Sequence, residues 1–471
     1  MKLIIVSNRV AHDATPQAGG LASAIQAALK SIRGTWIGWS GDISTLPLHK
    51  SGSLGSIDYE IFSLTEAEYA GYYLQYANEV LWPACHMRPT YVRWLDNAFQ
   101  TYCAVNQKFA QVVANHASSK DIVWVHDYHL MMVASYLRSH KHTGPLGYFH
   151  HIPVPPPELI QSIPHHEQLL KSLLQYDLVG LQTAKDLENL RQHLLHMRSR
   201  SQFANLQVHA VSEREVWVQL GNRLTKFGAY PISIFTKELE SIGTQSVDHP
   251  VRTEWARRLG QHPLVIGVDR LDYTKGLEQK LLAFDKYLHQ HSHGAPAALL
   301  QIAPRSRSQV PAYQQLCSRI DALVEQIQDT HSRPGYCPIY YDHRVQNIET
   351  LAALYRLARV ALVTPTKDGM NLVAKEYVAA QDPQDPGILV LSEFAGAAQE
   401  LKQAILVNPF NVEQTAQAIS QALSMPRDER IQRHQSMLKT LRAHNLHNWY
   451  EQFLEDLLTP RQTCSMEYIT T

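Results

Sequence analysis

Short runs of apolar, β-branched residues alternate along the chain with longer stretches in which apolar positions recur every three or four residues. In the first half the runs are residues 3–7, 122–126, 146–150 and 177–182, each followed by a segment of helical length. That alternation predicts a parallel sheet flanked by helices. The pattern falters after YPISIF (residues 230–235), where a polar stretch with Gly243 and Pro250 begins, and it restarts at residues 264–269, 298–303, 360–365 and 388–392. Two α/β domains joined near residues 235–262 is the simplest reading. Ligands bind beyond the carboxyl ends of strands in such sheets, so two facing domains share a cleft.

One position breaks the pattern. In DGMNLVAKEYVAAQD (residues 368–382), Leu372, Val373, Val378 and Ala379 recur with helical period, and Glu376 falls on their face. Burying a carboxylate there costs several kcal/mol, roughly, unless a cation or a ligand's hydroxyls meet it.

Composition narrows the function. The 471 residues are 45% hydrophobic and 18% charged, ordinary for a soluble globular protein. Lys plus Arg and Asp plus Glu number 43 each, so no global field recruits nucleic acid or a membrane surface, and any anion site is local. The five cysteines (85, 103, 317, 337 and 464) include no C-x-x-C pair, which suits free thiols in a reducing cytoplasm. MKLIIVSNRV carries four consecutive apolar residues, too few for a signal segment, and nothing later approaches a membrane span.

Candidate chemistry gathers at the strand ends. SNR (residues 7–9) precedes Gly19-Gly20 and a helical stripe of Leu21, Ile25, Leu29 and Ile32. Paired glycines before a helix N-terminus suit an anion or simply a tight turn at positive φ, and Arg9, which can bind phosphate through two parallel hydrogen bonds, strengthens the first reading. YYLQYANEVLWP (residues 72–83), with Trp36 and Trp39 upstream, offers aromatics that wall a sugar or simply fill a core. VWVHDYHL (residues 123–130) and GYFHHIPVPPPE (residues 147–158) place Asp127, His129, His150 and His151 at carboxyl edges of adjacent strands. VDRLDYTKG (residues 268–276) sets Arg270 and Lys275 where they can straddle a diphosphate or bridge to Asp269 and Asp272. Arg305 and Arg307 follow the next strand, and three arginine-bearing strand-end loops in a neutral chain favour a phosphate-rich ligand. His126, Asp127 and His129 lack the spacing of H-E-x-x-H, and no D-x-D occurs, so a metal site is the weaker account. HQHSH (residues 289–293) reads as an exposed loop rather than a metal tract.

Together these motifs resemble the trehalose-6-phosphate synthase family of retaining glucosyltransferases, over nearly the whole chain. The resemblance rests on DGMNLVAKEYVAAQDP, RLDYTKG, HDYHL, HIPVP, LVLSEFAGAAQEL and NEVLWP in the family's order and spacing. It implies a GT-B fold, two Rossmann-like parallel-sheet domains facing across a cleft. Residues 1–235 would bind the acceptor, residues 236–440 the nucleotide sugar, and residues 441–471 would form a helix crossing back to the first domain, with a tail. By the same resemblance Arg9, Tyr73, Trp82 and Arg307 hold the phosphate of glucose 6-phosphate, with Asp127 near its attacking hydroxyl. His151 lies by the donor glucose, and Asp368 holds its hydroxyls through the loop Gly369, Met370, Asn371. Gly20, Arg270 and Lys275 meet the donor diphosphate, helped by backbone N–H groups of Leu372 and Val373, and Glu376 takes the ribose. Asp127, His151, Arg270, Lys275 and Asp368 are thus the catalytic set, with no metal and no cofactor. The donor is a nucleotide-glucose, UDP-glucose in the first instance, with the choice among UDP, ADP and GDP left open, as is a homo-oligomer.

The chain departs from the family's YPIGID at Ser233 and Phe235, its loop between Arg9 and Gly19 is short, and no phosphatase domain is expected after residue 458. Three rivals compete: a transferase using glycerol 3-phosphate or a cyclitol phosphate, a silent sugar-phosphate-binding regulator, and a metal-dependent phosphohydrolase built on His126, Asp127 and His129.

Overall fold

The computed structural model describes residues 2–10, 25, 26, 29, 34–55, 57–200, 203–291, 296–307 and 309–459. Its described strands form two sheets. The first contains β1 (Leu3–Arg9), β2 (Gly34–Ile43), β3 (His49–Leu54), β4 (Ile57–Leu64), β5 (Ile122–His126), β6 (Leu146–Phe149), β7 (Leu178–Leu181), β8 (Leu206–Ser212), β9 (Glu215–Leu220) and β10 (Arg223–Ala229). Their order is β3-β4-β2-β1-β5-β6-β7-β10-β9-β8. Neighbours from β4 to β10 pair parallel, while β3 and the β8–β9 pair extend the edges antiparallel. β1 and β5 are central, and their apolar residues are buried on both faces.

The second sheet is all parallel: β11 (Leu264–Val268), β12 (Ala298–Ile302), β13 (Ile339–Asp342), β14 (Val360–Val363), β15 (Ile388–Ser392) and β16 (Ile405–Val407), in the order β13-β12-β11-β14-β15-β16. Residues 230–235 run between the sheets outside either set of strands. There Ser233 is buried with its hydroxyl unpartnered among the described residues, and Phe235 packs against the core. Of the stripe expected after Gly20, Ile25 and Leu29 are buried, while Gly19, Gly20, Leu21 and Ile32 lie outside the described residues.

The helix Leu446–Leu458, capped by the Asn445 side chain, lies against the first sheet. Its Phe453 stacks on Trp124 at 4.5 Å and Trp449 meets Phe149 edge-on at 5.0 Å. Gly147 and Gly180, on β6 and β7, make room: a Cβ at either would stand 2.9 or 2.8 Å from the Phe453 ring. Among the described residues no helix is long and apolar enough to cross a membrane.

One expectation needs correction. His289 and Gln290 are not loop residues, since the helix Leu277–Gln290 continues through them. Apolar positions at helical spacing up to Leu288 carry the helix that far, and the polar pair closes its last turn.

Candidate active site

β5 ends at His126, and Asp127 turns the chain with φ +76°. A non-glycine residue there costs roughly 1–3 kcal/mol and persists only when its surroundings over-determine it. They do here. The Asp127 N–H donates to the Phe149 carbonyl (2.7 Å), and Tyr102, from the helix Ala98–His116, donates its hydroxyl to the Tyr128 carbonyl (2.7 Å). Asn106, a polar residue on that helix's buried face, donates to the His129 carbonyl (3.0 Å) and accepts from the Met132 N–H (3.1 Å). The turn presents the Asp127 carboxylate to the His151 N–H at 3.2 Å. Burial pushes Asp127 up to about 6, against the pull of the Tyr128 and His151 N–H groups and of Arg307 and Arg270.

His151, past the end of β6, lies with its Nε2 3.1 Å from His126 Nδ1. Burial drives His126 down to about 3 and His151 well below its ordinary value, so both are neutral and share one proton between them. Gln182 assigns it: its Oε1 accepts from the Ile232 N–H (3.0 Å), leaving its amide to donate to His151 Nδ1 (3.4 Å). The His151 proton therefore sits on Nε2 and is donated to His126.

Beside this lies an aromatic wall. Residues Tyr69–Leu81 wind as a π-helix, whose end shows in the Trp82 N–H bonding five residues back to Ala77. Tyr73 and Trp82, roughly two such wide turns apart, both meet the 128–129 turn. Tyr73 stacks on His129 (5.8 Å, 11°), and the Trp82 and Tyr128 rings are 5.8 Å apart. Arg9, exposed at the end of β1, places its guanidinium 5.3 Å from the Trp39 ring, which itself touches Tyr73 at 5.8 Å. Both ring nitrogens of His129 and the Nε1 of Trp82 are buried without partners among the described residues.

The second sheet closes the site from the other side. Arg307 bonds Asp272 through Nη1 (3.0 Å), sets its guanidinium 3.9 Å from the Trp82 ring centroid and reaches the Tyr128 hydroxyl through Nη2 (3.3 Å). Arg270 lies 5.4 Å from the same Trp82 ring. Burial alone would raise Asp272, but Arg307 and Arg270 bring it down to about 2. The bridging of Arg270 and Lys275 to Asp269 and Asp272 does not form: Asp269 pairs with buried Lys280 (2.5 Å), Asp272 with Arg307, and Lys275 with Asp368 (2.5 Å). Arg305 is exposed. Asp368, though burial pushes it up, is held below the usual carboxylate range by Lys275.

Asn371, at φ +78°, donates to Asp368 (3.1 Å) and caps the helix Leu372–Ala380 by accepting from the Ala374 N–H (3.2 Å). Leu372 and Val373 thus form the first turn of that helix, and backbone N–H groups at a helix N-terminus suit an anion. Met370 instead is buried, its carbonyl taken by the Ala397 N–H (2.8 Å). Gly369 allows the loop to press on the first domain, since a Cβ there would stand 2.3 Å from the His151 carbonyl oxygen. Glu376 answers the anomaly in the sequence: among the described residues it has no ion pair, only the Tyr355 hydroxyl at 3.3 Å, and burial raises it to about 7. The neighbouring Lys375 is spent on Glu400 (2.6 Å) and the Ile232 carbonyl.

A cleft of about 480 Å³ opens between the domains, lined by Arg88, Lys185 and Asp186 on one side and Lys367, Asp368 and Gly396 on the other. Spatial pairing supplies what sequence reasoning missed, namely Tyr128, Gln182, Tyr313, whose hydroxyl donates to Asp272 (2.9 Å), and the pairing of Asp272 with Arg307. Their partners lie tens of residues away, although the buried Asp of RLDYTKG was a visible signal. Gly20 lies outside the described residues.

Two Rossmann-like domains meeting over a cation-lined cleft are the GT-B arrangement of glycosyltransferases. The model of glycosyltransferase family 20 matches residues 4–459, and the chain belongs to that family. It is 40% identical to a trehalose-6-phosphate synthase of Enterobacter sp. (strain 638) and 39% identical to that of Klebsiella pneumoniae, covering 98% of this chain and 96% of each relative. Among solved structures, an α,α-trehalose-phosphate synthase (UDP-forming) from Burkholderia xenovorans in complex with glucose 6-phosphate superposes with a TM-score of 0.92 at 38% identity, over 97% of this chain and all of that one. A structure from E. coli bound with UDP-2-fluoro glucose gives 0.89 at 37% identity, over 98% and 99%.

Proposed function

We propose that the chain transfers glucose from UDP-glucose to glucose 6-phosphate with retention, releasing UDP and α,α-trehalose 6-phosphate. The observation that carries this reading is Arg307, a buried cation brought from the second domain onto the Trp82 and Tyr128 wall of the first. A phosphate bound there would draw on Arg307 and Arg9, with Tyr73 and Trp82 walling the sugar. Residues 1–235 would hold this acceptor and residues 236–440 the donor, with the helix Leu446–Leu458 returning to the first domain and the expected tail, residues 460–471, outside the described residues.

In the transfer, the bond from the donor anomeric carbon to the diphosphate oxygen breaks. The acceptor's anomeric oxygen bonds to that carbon on the same face, and its proton passes to the departing diphosphate. Charge developing on that diphosphate is met by Arg270 and Lys275 and by the N–H groups at Leu372 and Val373, donors that count most in the transition state. Asp127 orients the attacking hydroxyl. His151, neutral and held by Gln182 and His126, lies by the donor glucose with Asp368 and the loop Gly369 to Asn371. Glu376, without a cation, is suited to ribose hydroxyls. The reading asks for the two substrates and no resident cofactor. Free Cys85, Cys103, Cys317 and Cys337 fit a cytoplasmic setting.

The test is nucleoside diphosphate release with glucose 6-phosphate and UDP-, ADP- or GDP-glucose in turn. Release that depends on the acceptor, with trehalose 6-phosphate found by mass, supports the reading. Silence with all three donors from folded protein would refute it.

A further inference from the structure

Asp285 and His289 stand one turn apart on the helix Leu277–Gln290, and His331 closes the neighbouring helix Pro311–His331. His331 Nε2 is 2.8 Å from Asp285 Oδ1, and His289 Nε2 is 3.7 Å from the same oxygen. One ligand atom from each of the three lies within 4.8 Å of the other two. We propose that this cluster binds a first-row transition dication, zinc foremost, as a structural clamp remote from the transfer chemistry.

The geometry is close to what such an ion requires. Tetrahedral zinc, with bonds of about 2.0–2.2 Å, sets its ligand atoms roughly 3.3–3.5 Å apart. The separations of 2.8 and 3.7 Å straddle that span and the third is at most 4.8 Å, so binding would draw the His289 and His331 rings together onto the ion. Two imidazoles and one carboxylate select zinc, cobalt or nickel over magnesium or calcium, which prefer all-oxygen shells. His331 is buried and fixed, Asp285 is half-buried, and His289 is exposed, which leaves a path for the ion and an open position for water. The helical placement of His289 is what makes the site: one turn from Asp285, it is on the face that His331 meets.

The location gives the clamp a consequence. The two helices begin just after Lys275 and shortly after Arg307, and the cluster ties their far ends, roughly 20 Å away along a helix of fourteen residues. A bare His331–Asp285 hydrogen bond would staple the same helices without His289, so His289 separates the two accounts.

The experiment is calorimetric titration of tag-free, metal-stripped protein with Zn²⁺, and with Co²⁺ read by its visible absorption. The expected result is one Zn²⁺ per chain, a raised melting temperature, tetrahedral-type Co²⁺ bands, and loss of at least about tenfold in affinity in His289→Ala. His289 is exposed, so that variant folds, and Asp285→Asn provides a second loss. No binding, or binding unchanged in His289→Ala, would overturn the proposal.

Discussion

Lys275 Nζ lies 2.5 Å from Asp368 Oδ2, joining the loop after β11 to the loop after β14. The pair sets a cation and a carboxylate at the cleft, each neutralised by the other; in the proposed reaction a diphosphate and a sugar would replace that contact. Lys275→Ala should therefore lower kcat by on the order of a hundredfold, the scale of a lost transition-state donor, while the fold survives. Steady-state diphosphate release checks it, and near-normal kcat would remove Lys275 from the mechanism.

Arg307 calls for a gentler change. Removing it outright would strand buried Asp272 and cost about 3–5 kcal/mol, confusing folding with binding. Arg307→Lys keeps the charge but loses the planar fork and its stacking on Trp82. We expect the KM for glucose 6-phosphate to rise at least about tenfold, with the KM for UDP-glucose little changed.

Gly369 tests the contact between domains. A methyl group there meets the His151 carbonyl at 2.3 Å, so the loop must move off the first domain and carry Asp368 with it. Misplacement by about 1 Å can cost a hundredfold. Gly369→Ala should reduce kcat/KM by at least about tenfold, with circular dichroism unchanged.

Glu376 gives a pH signature. Its carboxyl is raised from an ordinary 4.5 to about 7, so the folded chain keeps a proton that the unfolded chain releases. Stability linked to this group is therefore greatest below 4.5 and falls as the pH rises through 7. Glu376→Gln removes that titration, and the melting temperature should favour the variant increasingly from about pH 5 to about pH 8. The same variant should bind UDP-glucose more weakly, and a pH-independent difference in melting temperature would contradict the argument.

Phe453→Ala should destabilise the protein by about 3–5 kcal/mol, because the ring fills the groove left by Gly147 and Gly180 against Trp124. Denaturant unfolding measures it.

The parallel core was legible because strands such as residues 3–7 and 122–126 are apolar in all but their last residue, and a helical pattern follows each. Glu376 was legible as an acid on an oily face. The β8–β10 meander was not read, although EVWVQL alternates as a half-buried strand does; its neighbour LQVHAVS buries only Leu206 and so offers little apolar pattern. Nor was the pairing of Arg307 with Asp272: the two lie 35 positions apart, and only adjacent parallel strands bring their loops together. The true end of the helix through His289 was hidden because polar residues in a last turn look like those of a loop.

The seating of Trp449 and Phe453 on β5, β6 and β7 also imposes an order on synthesis. Strands made in the first two-fifths of the chain keep an uncovered aromatic floor until residues 446–458 have left the ribosome. The first domain thus waits for nearly the whole polypeptide before its core closes. Nascent chains stalled before Leu446 should engage chaperones through that exposed floor, whatever the state of the second sheet.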